Sequence, residues 1–380
     1  MVVPSYTQVH MSEASFTPRN KFDTPSQYIS EFDFSAWREL SDQKIASRPL
    51  QRLSNVEDSI LRIIGLTKYR RGPKRFLDCE LPAYRERIEN AVSNNQPIEF
   101  ILPSFPVKCL NPLKVRRITP DLAEVGSLTQ IYSLCAEIER IYEPGAQFTL
   151  ITDGLVYAPI FNEPIEQAEL YQSGLASIIQ DLELNNYIKT IDMSELISNT
   201  EYFDQRHQEV KLDLTQYMKP YLDSKTMNLH YQYTDPHIIN IVNSTMHNMN
   251  LTEFSEEELE SVFVYQNNPS LARKLKLRAE KVAFDYLSFI QTINKISLVQ
   301  GYFPTALRAT CHPKRGQLGL QMVNNRSYNF PWNGVGILRF DGTVRVEHEY
   351  NASRNPNYTA IYIEGEEFPF YYREDSEQKQ

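Results

Sequence analysis

Residues 306–314, ALRATCHPK, set Arg308, Thr310 and His312 at alternate positions, with Lys314 just beyond. In an extended strand, alternate side chains leave the backbone on one side. A guanidinium fork, a hydroxyl and an imidazole on one face suit a phosphate or a carboxylate. An edge strand whose polar face meets water would carry the same pattern. Cys311 falls on the opposite face from His312, so the two cannot form a nucleophile–base pair within this strand. Further candidates lie elsewhere. Lys108 follows PSFPV, where the prolines stiffen a loop that could hold an ammonium in place; an ordinary solvated lysine fits equally. Asp153, in TDG, could orient an amine or a hydroxyl, or simply form a turn. Asp121 and Glu124 open a helical pattern, where they could be dipole partners or ligands. In FPWNGV, Trp332 could wall an aromatic pocket and Asn333 could hydrogen-bond a substrate, while turn packing accounts for both.

These residues need elements to hold them. Residues 97–103, PIEFILP, read as a strand. A loop follows, and Thr119-Pro120-Asp121 then signals a helix start, with Thr119 as cap and Pro120 at the first position. Leu122, Val125, Leu128, Ile131, Leu134, Ile138 and Ile141 recur at helical spacing until Pro144-Gly145. A second strand, 147–152, ends at Asp153-Gly154. Strand, helix, strand implies a parallel pair with a right-handed crossover. Ligands bind such sheets at the carboxyl edge, where Lys108 and Asp153 fall. Upstream, helices are expected over 55–67 and 82–93. Downstream, 160–300 reads as a helical segment, clearest at 163–182 and 271–299, with an irregular stretch over 190–255. After Gly301 the period switches to two. A hairpin is expected across 307–322, and another around Asp341-Gly342. The fold class is therefore α/β, a parallel sheet with a helical insertion and C-terminal antiparallel strands.

Composition bounds the function. The 380 residues carry a net charge of −9, which disfavours nucleic acid despite the basic run KYRRGPKR at 68–75. No stretch is apolar enough to span a membrane. The four cysteines lack CxxC spacing, and no phosphate-binding glycine loop or dinucleotide fingerprint occurs. The start of the chain lacks a secretory signal, so a cytoplasmic location is expected. Residues 1–50 read as a partly disordered arm, 51–365 as one catalytic domain with C-terminal strands at about 303–350, and 366–380 as an acidic tail.

Taken together, FILPSFPVK (100–108), PDLAE (120–124), TDGLVY (152–157), ALRATCHPK (306–314) and PWNGV (331–335) resemble the isocyanide synthase, or pyoverdine/dityrosine biosynthesis, family. Order and spacing agree across roughly residues 75–350. The resemblance implies a Rossmann-like fold without a dinucleotide and with no metal or organic cofactor. It implies condensation of an amino acid's α-amine, tyrosine or tryptophan favoured, with ribulose 5-phosphate to leave an isonitrile. A formyl amino acid of the dityrosine branch is the alternative product, and a downstream tailoring oxygenase is a possible partner. On this reading Arg308, Lys108, His312 and Lys314 hold the phosphate. His312, Lys108 and Asn333 serve catalysis, while Asp153, Glu124 and Trp332 receive the amino acid. One departure stands out: the family pattern carries histidine where this chain has Asn333, which cannot shuttle protons. A weakened paralogue that binds without turnover would show that change too.

Overall fold

The structure is a computed structural model that describes residues 25–74, 78, 81–218, 236–313, 317–323 and 329–375. Its centre is a parallel sheet ordered β4-β3-β2-β5-β6, comprising β2 (Ile98–Pro103), β3 (Ala146–Thr152), β4 (Ile188–Asp192), β5 (Leu307–Thr310) and β6 (Leu318–Gly319). β2 and β3 run in register from Ile98↔Ala146 to Pro103↔Ile151. Phe100, Ile101 and Leu102 are all buried, so β2 is covered on both faces and reads as a continuous apolar run. On one face lies the helix Leu122–Glu139, buried nearly all round. On the other, Ile101 and Ile151 meet the helices Met193–Ser198, Pro269–Lys295 and Leu298–Tyr302.

The α/β class with its parallel sheet and closing antiparallel strands is what the sequence implied. The details differ in places. Asp121, not Thr119, caps the helix Leu122–Glu139: its carboxylate accepts from Ala123 N at 2.6 Å, and Glu124 reaches back to Asp121 N at 2.8 Å. The described residues of 190–255 are largely helical rather than irregular. They hold the end of β4 and the helices Met193–Ser198, Phe203–Met218 and Pro236–Asn248. β4 escaped notice because, as an edge strand, it exposes Lys189 and Thr190 and shows no alternation.

The hairpin across 307–322 is also corrected. β5 and β6 pair in parallel over two residues, Ala309↔Leu318 and Thr310↔Gly319. The antiparallel partner of 319–321 is the basic run instead. Arg71 N donates to Gly319 O at 2.8 Å, and Gln321 N donates to Tyr69 O at 2.7 Å. The hairpin at Asp341-Gly342 forms as expected, between β7 (Val335–Leu338) and β8 (Val344–Glu347).

A second sheet, β1-β9-β10-β7-β8, takes in both ends of the described chain. β1 (Ser26–Ile29) pairs with β9 (Tyr358–Ile363), and the helix Phe34–Ala46 lies on Leu122–Glu139, with Trp37 Nε1 donating to Thr129 Oγ1 at 3.0 Å. The residues expected to be an arm thus belong to the fold from Ser26 onward. β10 (Tyr371–Glu374) sits between β9 and β7, so the sheet extends into the expected acidic tail. Its alternation covers only four residues, too few to separate from a polar terminus. No helix among the described residues is long and apolar enough to cross a membrane.

Candidate active site

The carboxyl edge of the parallel sheet collects the loops after β2, β3 and β5. After β3, Asp153 opens the helix Gly154–Phe161, yet its side chain caps nothing. The carboxylate is 8% exposed, and Oδ1 has no hydrogen-bond partner. Burial pushes this group well above the carboxylate range, and the nearby Asp192 charge adds to the effect. Asp192 itself, at the end of β4, accepts from Gln172 Nε2 at 2.6 Å and Ser194 N at 2.7 Å. The loop after β2 presses directly on this corner. A Cβ on Gly154 would lie 1.9 Å from Pro106 O, so only glycine permits the approach.

A line of rings joins the loops after β2 and β5. Phe105 meets Trp332 edge-on with centroids 5.4 Å apart, Trp332 stacks on Phe330 at 5.1 Å, and His312 meets Phe330 at 4.5 Å. The Arg71 guanidinium stands 4.4 Å from the same Phe330 ring. Cys311, buried and pushed up to about 12 by desolvation, feels the charges of both Arg71 and Asp153. It is no nucleophile at neutral pH. His312 is exposed, and Thr310 Oγ1 accepts from its backbone N–H at 3.2 Å. Strand alternation holds here: Leu307, Ala309 and Cys311 are buried, whereas Arg308 and Thr310 are half-buried. Arg308 pairs with Ile101 in mid-sheet and forms no ion pair among the described residues. Burial lowers its affinity for the proton.

Lys108 behaves otherwise than expected. Its side chain is fully buried, with Nζ 2.6 Å from Asp121 Oδ2 and 3.0 Å from Glu124 Oε2. Tyr171 Oη donates to the remaining Glu124 oxygen at 2.9 Å. Two carboxylates already balance this buried ammonium, which leaves it poorly placed to bind a phosphate. Glu124 is likewise sealed from water, so it offers no open oxygen to a substrate amine. Burial raises its carboxyl to about 7, against the pull of Lys108. The three residues instead fix the start of the long helix against the second sheet, since Asp121 Oδ1 also accepts from Gly336 N at 3.2 Å. Sequence spacing could not reveal this, because Lys108 and its partners lie in separate segments. Asn333 closes a short 3₁₀ turn, donating its backbone N–H to Phe330 O at 2.9 Å, and is partly accessible. Lys314 lies outside the described residues. Arg71 and Asp192 were not foreseen as site residues. The dense basic run and the Asp before a helix start were their only signals.

Residues 88–361 match the family of pyoverdine/dityrosine biosynthesis proteins, and the chain belongs to that family. It is 26% identical to an L-tryptophan isonitrile synthase of Fischerella ambigua, over 69% of this chain and 74% of that one. It is 27% identical to an L-tyrosine isonitrile synthase of Pseudomonas aeruginosa, over 72% and 78% respectively. The crystal structure of the PvcA protein from Pseudomonas aeruginosa shares the fold, with a TM-score of 0.56, 22% identity, and coverage of 84% of this chain and 99% of that one.

Proposed function

We propose that this protein is an isocyanide synthase that converts the α-amine of an aromatic amino acid, tyrosine or tryptophan, to an isonitrile. The carbon donor on this reading is ribulose 5-phosphate. The observation that carries it is the Asp153 carboxylate, buried at the carboxyl edge with one oxygen unpartnered. Tyr157 and a backbone N–H hydrogen-bond the group, yet a buried carboxyl oxygen left without a partner is costly, and a substrate ammonium would supply the missing charge and hydrogen bond. Arrival of that ammonium would pull the Asp153 pKa back down, so binding and ionisation would reinforce each other.

The rings at Phe105, Trp332 and Phe330 offer a wall of the right chemistry for an aromatic side chain. Arg308 is the best remaining cation for a sugar phosphate, now that Lys108 is committed to carboxylates. Exposed His312 offers an imidazole, the side chain most often used to move protons in catalysis. Lys108, Asp121 and Glu124 would act by holding the loop after β2 in place rather than by touching substrate.

A second reading rests on Asn333 alone: a relative that binds the substrates but turns them over slowly or not at all. One experiment separates the two. Purified protein is incubated with tyrosine or tryptophan and ribulose 5-phosphate, and the isonitrile stretching band is followed by infrared spectroscopy. The band should grow with wild-type protein and vanish with Arg308→Ala. Substrate-induced heat stabilisation without the band would favour the binding-only reading.

A further inference from the structure

The loop that leaves β2 runs on past the candidate site to Lys114, where a second cationic cluster forms. Lys114 Nζ donates to Asn248 Oδ1 at 3.0 Å, at the end of the helix Pro236–Asn248. His247 precedes that asparagine, and its carbonyl accepts from Asn111 Nδ2 at 3.4 Å, so the helix end is tied to the same loop. From the other side, Glu349 N donates to Lys114 O at 2.9 Å, which brings the preceding His348 alongside. Three partly accessible basic side chains from three separate segments thus gather here, with the Lys114 charge acting on both imidazoles.

Among the described residues no carboxylate pairs with them. Among the described residues Lys114 forms no ion pair, and an amide oxygen is the one partner of its ammonium. The acids nearby are otherwise engaged. Glu163 accepts from Leu110 N at 3.2 Å and Asn250 Nδ2 at 2.9 Å, and the Glu349 carboxylate accepts from Tyr372 Oη at 2.5 Å. Arg116 pairs with Glu256, and Phe263 packs on the His247 ring at 4.6 Å. Burial lowers Lys114 to about 8, with the Cys109 thiol acting slightly the other way. Desolvation and the Lys114 charge hold His247 at about 3 and His348 at about 4. One desolvated cation thus sits beside two imidazoles kept neutral, an arrangement that an anion would relieve.

We propose that Lys114, His247 and His348 form an anion subsite for a phosphate-class dianion. The two ammonium hydrogens not given to Asn248 and one N–H from each neutral ring can converge on phosphate oxygens, and a bound dianion would favour protonation of both rings. This goes beyond the synthase reading, which uses none of these residues.

The test separates the two sites by working in the Arg308→Ala background, so that the cation at the carboxyl edge is gone. Inorganic phosphate is titrated by calorimetry at neutral pH, with acetate as a parallel arm. The expected result is saturable phosphate binding in R308A and at least a tenfold loss in R308A/K114M. Acetate should bind at least tenfold more weakly than phosphate. Circular dichroism checks the fold of K114M, whose thermal midpoint should equal or exceed the wild-type value because a desolvated ammonium is removed. Should K114M fail to fold, the pair H247Q/H348Q replaces it, with the same tenfold loss expected. Undiminished phosphate binding in those variants, no saturable binding in R308A, or tighter binding of acetate would each overturn the proposal.

Discussion

Lys108 Nζ lies 2.6 Å from Asp121 Oδ2, and neither side chain reaches water. With Glu124 at 3.0 Å, one cation locks the loop after β2 to the start of the helix Leu122–Glu139. Removing one partner from a buried ion group leaves uncompensated charge. Lys108→Met should therefore cost about 3–5 kcal/mol of stability, read as a shift in the urea midpoint. K108M/E124Q should recover part of that loss. A loss below about 1 kcal/mol would mean that the triad behaves like a surface pair.

Asp153 is the reverse case, a buried carboxyl with too few partners. Asp153→Asn should leave the thermal midpoint unchanged or higher. If the residue receives the substrate ammonium, kcat/KM should drop roughly 10–100-fold, the size of one charge-assisted hydrogen bond. Steady-state kinetics on the amino acid decide the matter, and wild-type kinetics in D153N would remove the residue from the site.

Glu163 gives a pH signature. Burial raises its carboxyl from 4.5 to about 7, so the folded chain keeps a proton that the unfolded chain releases between those values. Stability from this group is present below pH 4.5 and is lost as pH rises through 7. The buried histidines oppose this trend, because folded His247 and His348 release protons that the unfolded chain keeps below pH 6.5. Those terms cancel in a comparison of two variants. The stability of Glu163→Gln relative to wild type should rise from pH 4.5 to 7, by at most roughly 3 kcal/mol. Urea melts across that range measure it, and a flat difference would refute the shift.

On the family resemblance, Asn333 takes a position where histidine is expected. Asn333→His should raise kcat by roughly tenfold or more if a missing proton shuttle limits the rate, and should add a limb near neutral pH to the pH–rate curve. No gain over an active wild type would show that proton transfer at this position is not limiting.

Much of the frame was legible from local chemistry. The run at 97–103, the helical spacing from Leu122 and the strand before Asp153 fixed a parallel pair, because burial on two faces demands continuous apolar stretches. The Asp-Gly at 341–342 marked its hairpin because that turn depends on a few adjacent residues. Alternation in 307–312 correctly set Arg308 apart from Cys311. β4, the strand role of Tyr69–Arg71 and the use of both ends of the described chain in the second sheet were hidden, since each depends on a partner far away in sequence.

The sequence by itself determined which residues alternate, which segments coil and which side chains carry charge. Tertiary structure alone decided which charges face one another. Lys108 read as a cation for substrate, yet folding sets it between Asp121 and Glu124. Lys114, six residues on, drew no notice and ends beside two imidazoles, with no counter-ion among the described residues. The reason is physical: helix and strand periods follow from neighbours along the chain, whereas the energy of a charge depends on what surrounds it in space.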